Sequence, residues 1–180
     1  MKRFETNKKE NIKSRIKRFQ FNFFPAYRRT GARICFISDD WKEVHIKLGL
    51  NWTTRNYVGS VFGGSIYGAL DPIYMIQLIN ILGNKYVVWD KVATIKFIRP
   101  IKQEVFARFL ISENLITEIK KGIELNNEME IELSVKFNDG NETTYAEVIK
   151  KLYIADKKYY KQKKQHTTKN KHHYPSTGSG

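Results

Sequence analysis

NYVGSVFGGSIYGALDPIYM, residues 56–75, contains one charged side chain, Asp71, and no other charge falls between Arg55 and Lys85. From Gly64 to Leu82 the residues are apolar on nearly every helical face, and a helix apolar all round is buried all round. Gly83-Asn84 supplies the stop. A lone carboxylate in such a helix costs free energy unless it is paired or hydrogen-bonded. Two readings account for it. Asp-Pro is a good helix start, with Asp71 as N-cap and Pro72 as the first helical residue. The helix would then break at Asp71, and Gly68 leaves room for the proline ring one turn earlier. Alternatively the carboxylate is kept for chemistry.

Outward from this helix the chain alternates. Arg33 to Ser38 and Val44 to Leu50 read as antiparallel strands around an Asp39-Asp40 turn. After the helix, YVVWDKVATIKFIRP places Trp89, Lys91, Ala93, Ile95 and Phe97 on one face of a strand. EVFARFLIS is next, and after a polar stretch EMEIELSVKF and TYAEVIKKLYI form a hairpin across NDGN. From Asn11 to Phe24 the residues Ile12, Ile16, Phe19 and Phe23 recur at helical spacing among Lys and Arg. That segment reads either as a basic amphipathic helix on a membrane surface or as a helix packed on its own domain. The immediate succession of Pro25 and a strand favours the second.

The formal net charge of +14 sits at the two ends. Residues 1–31 carry ten Lys and Arg against two acids, residues 157–180 seven Lys and no acid, and residues 32–156 sum to −1. The core is thus nearly neutral. Loose basic ends bind polyanions weakly and in a salt-dependent way, so no specific nucleic-acid partner is expected. Weak contact with an anionic surface is the most these ends suggest. The expected division is a basic, partly helical segment 1–23, a domain 24–155, and a basic disordered tail 156–180. Cys35 is the one cysteine, expected as a buried thiol. His45 stands apart from His166, His172 and His173, so neither metal nor cofactor is expected. The charged N-terminus does not read as a secretory signal, and a cytoplasmic enzyme or binding module is the expectation.

The order is therefore helix, two strands, one buried helix, four strands. A helix apolar on every side needs a sheet curled around it and something on its remaining face. That is the plan of an α+β hotdog fold, an antiparallel sheet wrapped around one long central helix. The spacing Asn56-x-x-Gly59-x-x-Phe62-Gly63-Gly64, followed by Asp71, resembles the motif of phenylacetate-type hotdog thioesterases. The wider run from Asn51 to Met75, with VVWDKVATIKFIRP, resembles a domain-of-unknown-function branch of hotdog proteins. The thioesterase motif has His where this chain has Phe62.

The resemblance implies a thioesterase acting on an acyl-CoA-like small molecule, with Asp71, Gly63 and Gly64 as the catalytic set. It places Asn56, Phe62, Ser65 and Tyr67 against the substrate. Hydrolysis of a thioester needs a stabilised oxyanion and an activated water or nucleophile. A helix N-terminus offers unpaired N–H groups, and glycines let a carbonyl approach them. A carboxylate can serve as general base or nucleophile. Gly64 and Asp71 share a helical face but lie roughly 10 Å apart along the axis, at about 1.5 Å per residue. One carbonyl cannot reach both within one helix, so a homodimer or tetramer is expected. The alternative is an acyl- or lipid-binding module without catalysis, favoured by the missing imidazole. Asp90 and Lys91 are expected as an inward–outward charge pair with no catalytic part.

Overall fold

The computed structural model describes residues 4–141 and 143–171. Six strands form one antiparallel sheet in the order β1-β2-β4-β5-β6-β3. They are β1 (Arg33–Ile37), β2 (Glu43–Leu48), β3 (Tyr86–Phe97), β4 (Val105–Leu110), β5 (Glu128–Asn138) and β6 (Thr144–Asp156). The helices are α1 (Ile12–Phe23), α2 (Pro25–Arg29), α3 (Gly63–Leu70), α4 (Ile73–Leu82), α5 (Glu113–Asn126) and α6 (Lys157–Lys171).

α3 and α4 together make the central helix against which the sheet curls. Ile66, Ala69, Leu70, Ile73, Tyr74 and Leu78 are buried beside the inward residues of every strand. Two polar side chains tie this helix to the sheet rim. Tyr74 donates to the Ser134 carbonyl at 2.8 Å and Gln77 to that of Trp41 at 2.8 Å. By length and composition Gly63–Leu82 could cross a membrane, but half of it is buried within the fold; it is not buried all round as its sequence suggested, and Ile79 is exposed.

The sheet is continuous but uneven. β5 and β6 pair along their whole length, closed by a turn in which Asp139 Oδ1 accepts from the amides of Asn141 and Thr143. β4 meets β5 at the Phe106–Asn138 pair alone among the described residues. This opening lets the sheet bend around the helix.

Four sequence expectations change. Residues 113–126, read as a polar stretch, form α5. Ser112 caps it by accepting from the Leu115 amide, Ile116, Ile119 and Ile123 turn inward, and Asn127 ends it at φ 63°. Lys157–Lys171, expected to be disordered, forms α6, started by Asp156 Oδ1 accepting from the amides of Lys158 and Tyr159. Residues 172–180, with His172 and His173, lie outside the described residues. Cys35 is half-buried rather than buried.

The fourth change concerns β3. A bulge between Asp90 and Val92 breaks its alternation. Val88 and Asp90 oppose inward Ile154 and Leu152, whereas Ile95 and Phe97 oppose inward Val148 and Ala146. Trp89 and Lys91 therefore face outward, while Ile95 and Phe97 face the central helix. The single face expected for all five of Trp89, Lys91, Ala93, Ile95 and Phe97 does not exist.

Candidate functional site

The loop before α3 is built by Asn56. Its Oδ1 accepts from the amides of Val58 and Ser60 at 3.1 and 2.9 Å, and its Nδ2 donates to Ser60 Oγ at 3.0 Å. Gly59 takes φ +76°, which a glycine adopts without strain. The Asn56 side chain is thus engaged in its own turn. The loop leads into α3, where Phe62 is the N-cap residue in extended conformation and supplies no side-chain cap. The Phe62 amide donates to the Thr54 carbonyl at 2.7 Å.

The first amides of α3, from Gly63 onward, have no acceptor within the helix. Two aromatic rings flank them. Phe62, 58% exposed, folds back so that a Cβ on Gly64 would collide with its ring. A Cβ on Gly63 would stand 3.1 Å from Phe97 Cζ. Small residues at 63 and 64 are therefore needed for the rings to close on the helix end. Ser65 is buried on the inner face of α3, so what it can offer outward is its amide.

At the other end of α3 stands Asp71. It is not an N-cap: its backbone is helical (φ −50°, ψ −54°), and Pro72, also helical, opens α4 without a side-chain cap. The two helices run on almost without a break, and the capping alternative falls. Instead the carboxylate belongs to a cluster. Tyr67 OH donates to Asp71 Oδ1 at 2.7 Å, one helical turn apart. Lys150, wholly buried in β6, donates to the same oxygen at 2.9 Å and to the Asp71 carbonyl. Lys150 also lies 2.8 Å from Asp90 Oδ2.

One lysine thus sits between two carboxylates. Asp90 Oδ1 is buried without a hydrogen-bond partner. Burial pushes the Asp90 carboxyl above its usual range, against the pull of Lys150. The Tyr67 hydroxyl is pushed up by burial, and then by the Asp71 carboxylate it donates to. Tyr67 therefore stays a donor and orients Asp71.

Asp90 and Lys91, expected as an inward–outward pair of charges, do point inward and outward, and they meet different partners rather than each other. The bulge sends Lys91 outward to Glu130 Oε1 at 2.5 Å, and Asp90 inward to Lys150. Lys150 itself was missed. Its signal lay in the alternation of TYAEVIKKLYI: Ala146, Val148, Leu152 and Ile154 share its inward face. A lysine in that series can be buried only if paired. Phe97 was missed as a site residue because its facing depends on the bulge.

The structure therefore brings Phe62, Gly63, Gly64 and Phe97 together at the α3 N-terminus, and Tyr67, Asp71, Asp90 and Lys150 at its C-terminus. The second group lies beside β3, one of the two edge strands of the sheet.

The fold is shared with solved structures. A Pseudomonas aeruginosa protein of unknown function, described as a probable thioesterase, superimposes with a TM-score of 0.70 at 16% identity, over 79% of this chain and 95% of that one. A Chlorobaculum tepidum protein of unknown function gives 0.64 at 15%, over 81% and 94%. A Haemophilus influenzae thioesterase gives 0.58 at 12%, over 83% and 93%. These likenesses identify the hotdog fold. No curated protein matches the sequence. Residues 13–154 match the family described as a domain of unknown function, DUF4442.

Proposed function

The chain belongs to the DUF4442 family, and on that premise we propose that it is a thioesterase that hydrolyses an acyl thioester of the acyl-CoA kind at a site shared by two copies of the chain. The observation that carries this reading is the Asp71 carboxylate. It interrupts a buried apolar helix, caps nothing, and is 42% exposed, while Tyr67 and Lys150 both hold Oδ1.

In this reading the thioester carbonyl accepts from the first amides of α3, those of Gly63, Gly64 and Ser65. The dipole of the helix favours the negative charge that develops on the oxygen. Asp71 takes a proton from water through Oδ2 as the water oxygen bonds to the carbonyl carbon. The tetrahedral intermediate collapses with loss of the C–S bond, and the proton passes to the departing sulfur. Lys150 and Tyr67 hold Asp71 in place through Oδ1. The rings of Phe62 and Phe97 offer apolar contact beside the carbonyl. The gap of roughly 10 Å between Gly64 and Asp71 along one helix requires that the two ends come from different subunits. The edge strand β3, with Trp89 and Val92 exposed, is the natural seam for that assembly.

One feature favours a second reading, a module that binds acyl chains without cleaving them. Phe62 occupies the motif's His position, its side chain has no hydrogen-bond donor, and its ring covers Gly64. A panel of acyl-CoA substrates with detection of released thiol decides between the two. Under the first reading the parent cleaves at least one substrate, and Asp71→Asn folds normally but turns over about a hundredfold or more slower. If the parent binds acyl-CoA and releases no thiol, the binding module takes its place.

A further inference from the structure

α1 is mounted the wrong way round for a helix that serves its own core. It lies along the outer edge of β1, and its inward contacts are largely polar. Ser14 is buried, with its hydroxyl on the Ser38 carbonyl. Asn22 pairs twice with the Ile34 backbone, donating to the carbonyl at 2.9 Å and accepting from the amide at 2.8 Å. Just ahead of the helix, Glu10 accepts from the Ile37 amide at 3.1 Å and holds Arg18 at 2.8 Å. These bonds engage the Ile34 and Ile37 backbone of an edge strand and fix the helix in place. Phe21 is the large apolar residue that α1 turns toward the core, edge-on to Trp41.

The other large apolar residues of α1 point away from the protein. Ile12, Ile16, Phe19 and Phe23 follow one another on one face and are all exposed, Ile12 to 75% and Phe19 to 62%. Phe19 and Phe23 stack with ring centroids 4.3 Å apart, and Phe24 extends the patch. An exposed groove of about 580 Å³ runs along this face between Ile12, Ile16, Phe19 and Phe23, rimmed by Arg15 and Arg33. Residues 11–33 include Lys13, Arg15, Lys17, Arg18, Arg28, Arg29 and Arg33 and no acid.

From this inverted mounting we infer that α1 docks the protein on an anionic lipid bilayer, with Ile12, Ile16, Phe19 and Phe23 entering the interface. Apolar stripe and basic flank are the two elements such binding requires, and each strengthens the other. The absence of acid along residues 11–33 fits negatively charged headgroups. The contiguous Ile and Phe side chains fit the acyl boundary beneath them. The helix needs no folding on contact, because Asn22 and Glu10 already anchor it. This inference is independent of the thioesterase reading: it concerns the opposite edge of the sheet from β3.

The test is co-sedimentation of the full chain with vesicles of phosphatidylcholine alone, and of phosphatidylcholine with about one third phosphatidylglycerol. Pelleting is expected with the anionic vesicles, little with the neutral ones, and less as salt is raised. Ile16→Ser with Phe19→Ser should lower partitioning at least tenfold with an unchanged melting curve, since both side chains are exposed. Lys13→Glu with Lys17→Glu, which leaves the apolar stripe intact, should lower it as well. The inference is overturned if the parent does not pellet with anionic vesicles. It is equally overturned if the Ser variant pellets like the parent, which would assign binding to basic ends alone. A change of oligomeric mass in the Ser variant would assign the face to a second copy instead.

Discussion

Lys150 Nζ, in a side chain with no exposure, lies 2.9 Å from Oδ1 of the half-exposed Asp71. The pair links the interior of the sheet to the surface of the central helix. Lys150 also balances Asp90, so the cluster carries one net negative charge when both carboxylates are ionised. A buried ion of this kind contributes little stability while intact but much instability when broken.

Lys150→Met should therefore destabilise the fold by about 3 kcal/mol in urea unfolding, the scale for an uncompensated buried charge. Most of that loss belongs to Asp90, since Asp71 can turn to solvent. Adding Asp90→Asn should recover at least half of it. A loss below about 1 kcal/mol for Lys150→Met would show that the cluster is not coupled in this way.

The shared site has a kinetic signature. Gly64→Val should push the Phe62 ring off the α3 N-terminus and abolish turnover, and Asp71→Asn should abolish it from the other side. Mixed and reassembled, the two inactive variants should regain activity, because a mixed dimer contains one site with both wild-type ends. Two inactive single-variant samples with no gain on mixing, or a monomer by light scattering, would place the whole site in one chain.

Acid should loosen the β1–β2 end of the sheet in two stages. Glu43 is buried and accepts from Thr6, Arg108 and His45. Burial alone would raise its carboxyl, but these bonds outweigh it and hold it below the usual 4.5. His45 lies between the rings of Phe4 and Phe36, and burial lowers it below 6.5 despite Glu43. Both groups bind protons more weakly folded than unfolded. Their stabilisation is complete above the unfolded values and is lost as pH falls: first below 6.5 through His45, then below 4.5 through Glu43. His45→Gln should flatten the first stage of the melting-temperature profile and leave the second. An unchanged profile would contradict the assignment.

Removal of residues 157–180 should cost less than about 1 kcal/mol, because the ties of α6 to the sheet are surface ones. Lys163 meets Glu128 at 2.6 Å, and Tyr159 donates to Glu128 at 3.4 Å. A fall in melting temperature of ten degrees or more would show that α6 is part of the folding unit.

The fold was legible where side-chain periodicity was unbroken. The all-apolar central helix and the alternating β5–β6 hairpin could be read directly. α5 was passed over because its inward series, Ile116, Ile119 and Ile123, is thin among charged residues. α1 was legible as a helix, but its stripe was assigned inward. Periodicity identifies a face without saying what it meets, and the Asn22 and Glu10 bonds that orient α1 are long-range. At the site, the glycines and Asp71 were visible as sequence. Lys150 lies 79 positions from Asp71, and only sheet pairing brings it there.

The extra residue in β3 sets two phases within one strand. Upstream of it, Asp90 is aimed at the Lys150 cluster; downstream, Phe97 is aimed at the Gly63 end of the same helix. Straightening the bulge with Lys91 still in the strand would act like a frameshift in space. It would rotate residues 92–97 onto the opposite face and withdraw Phe97, while residues 86–90 kept their places. The two ends of the central helix can thus be altered separately by point substitution, and their relation rests on the bulge: deleting Lys91 itself would leave Asp90 opposite Leu152 and Val92 opposite Lys151 in a regular ladder.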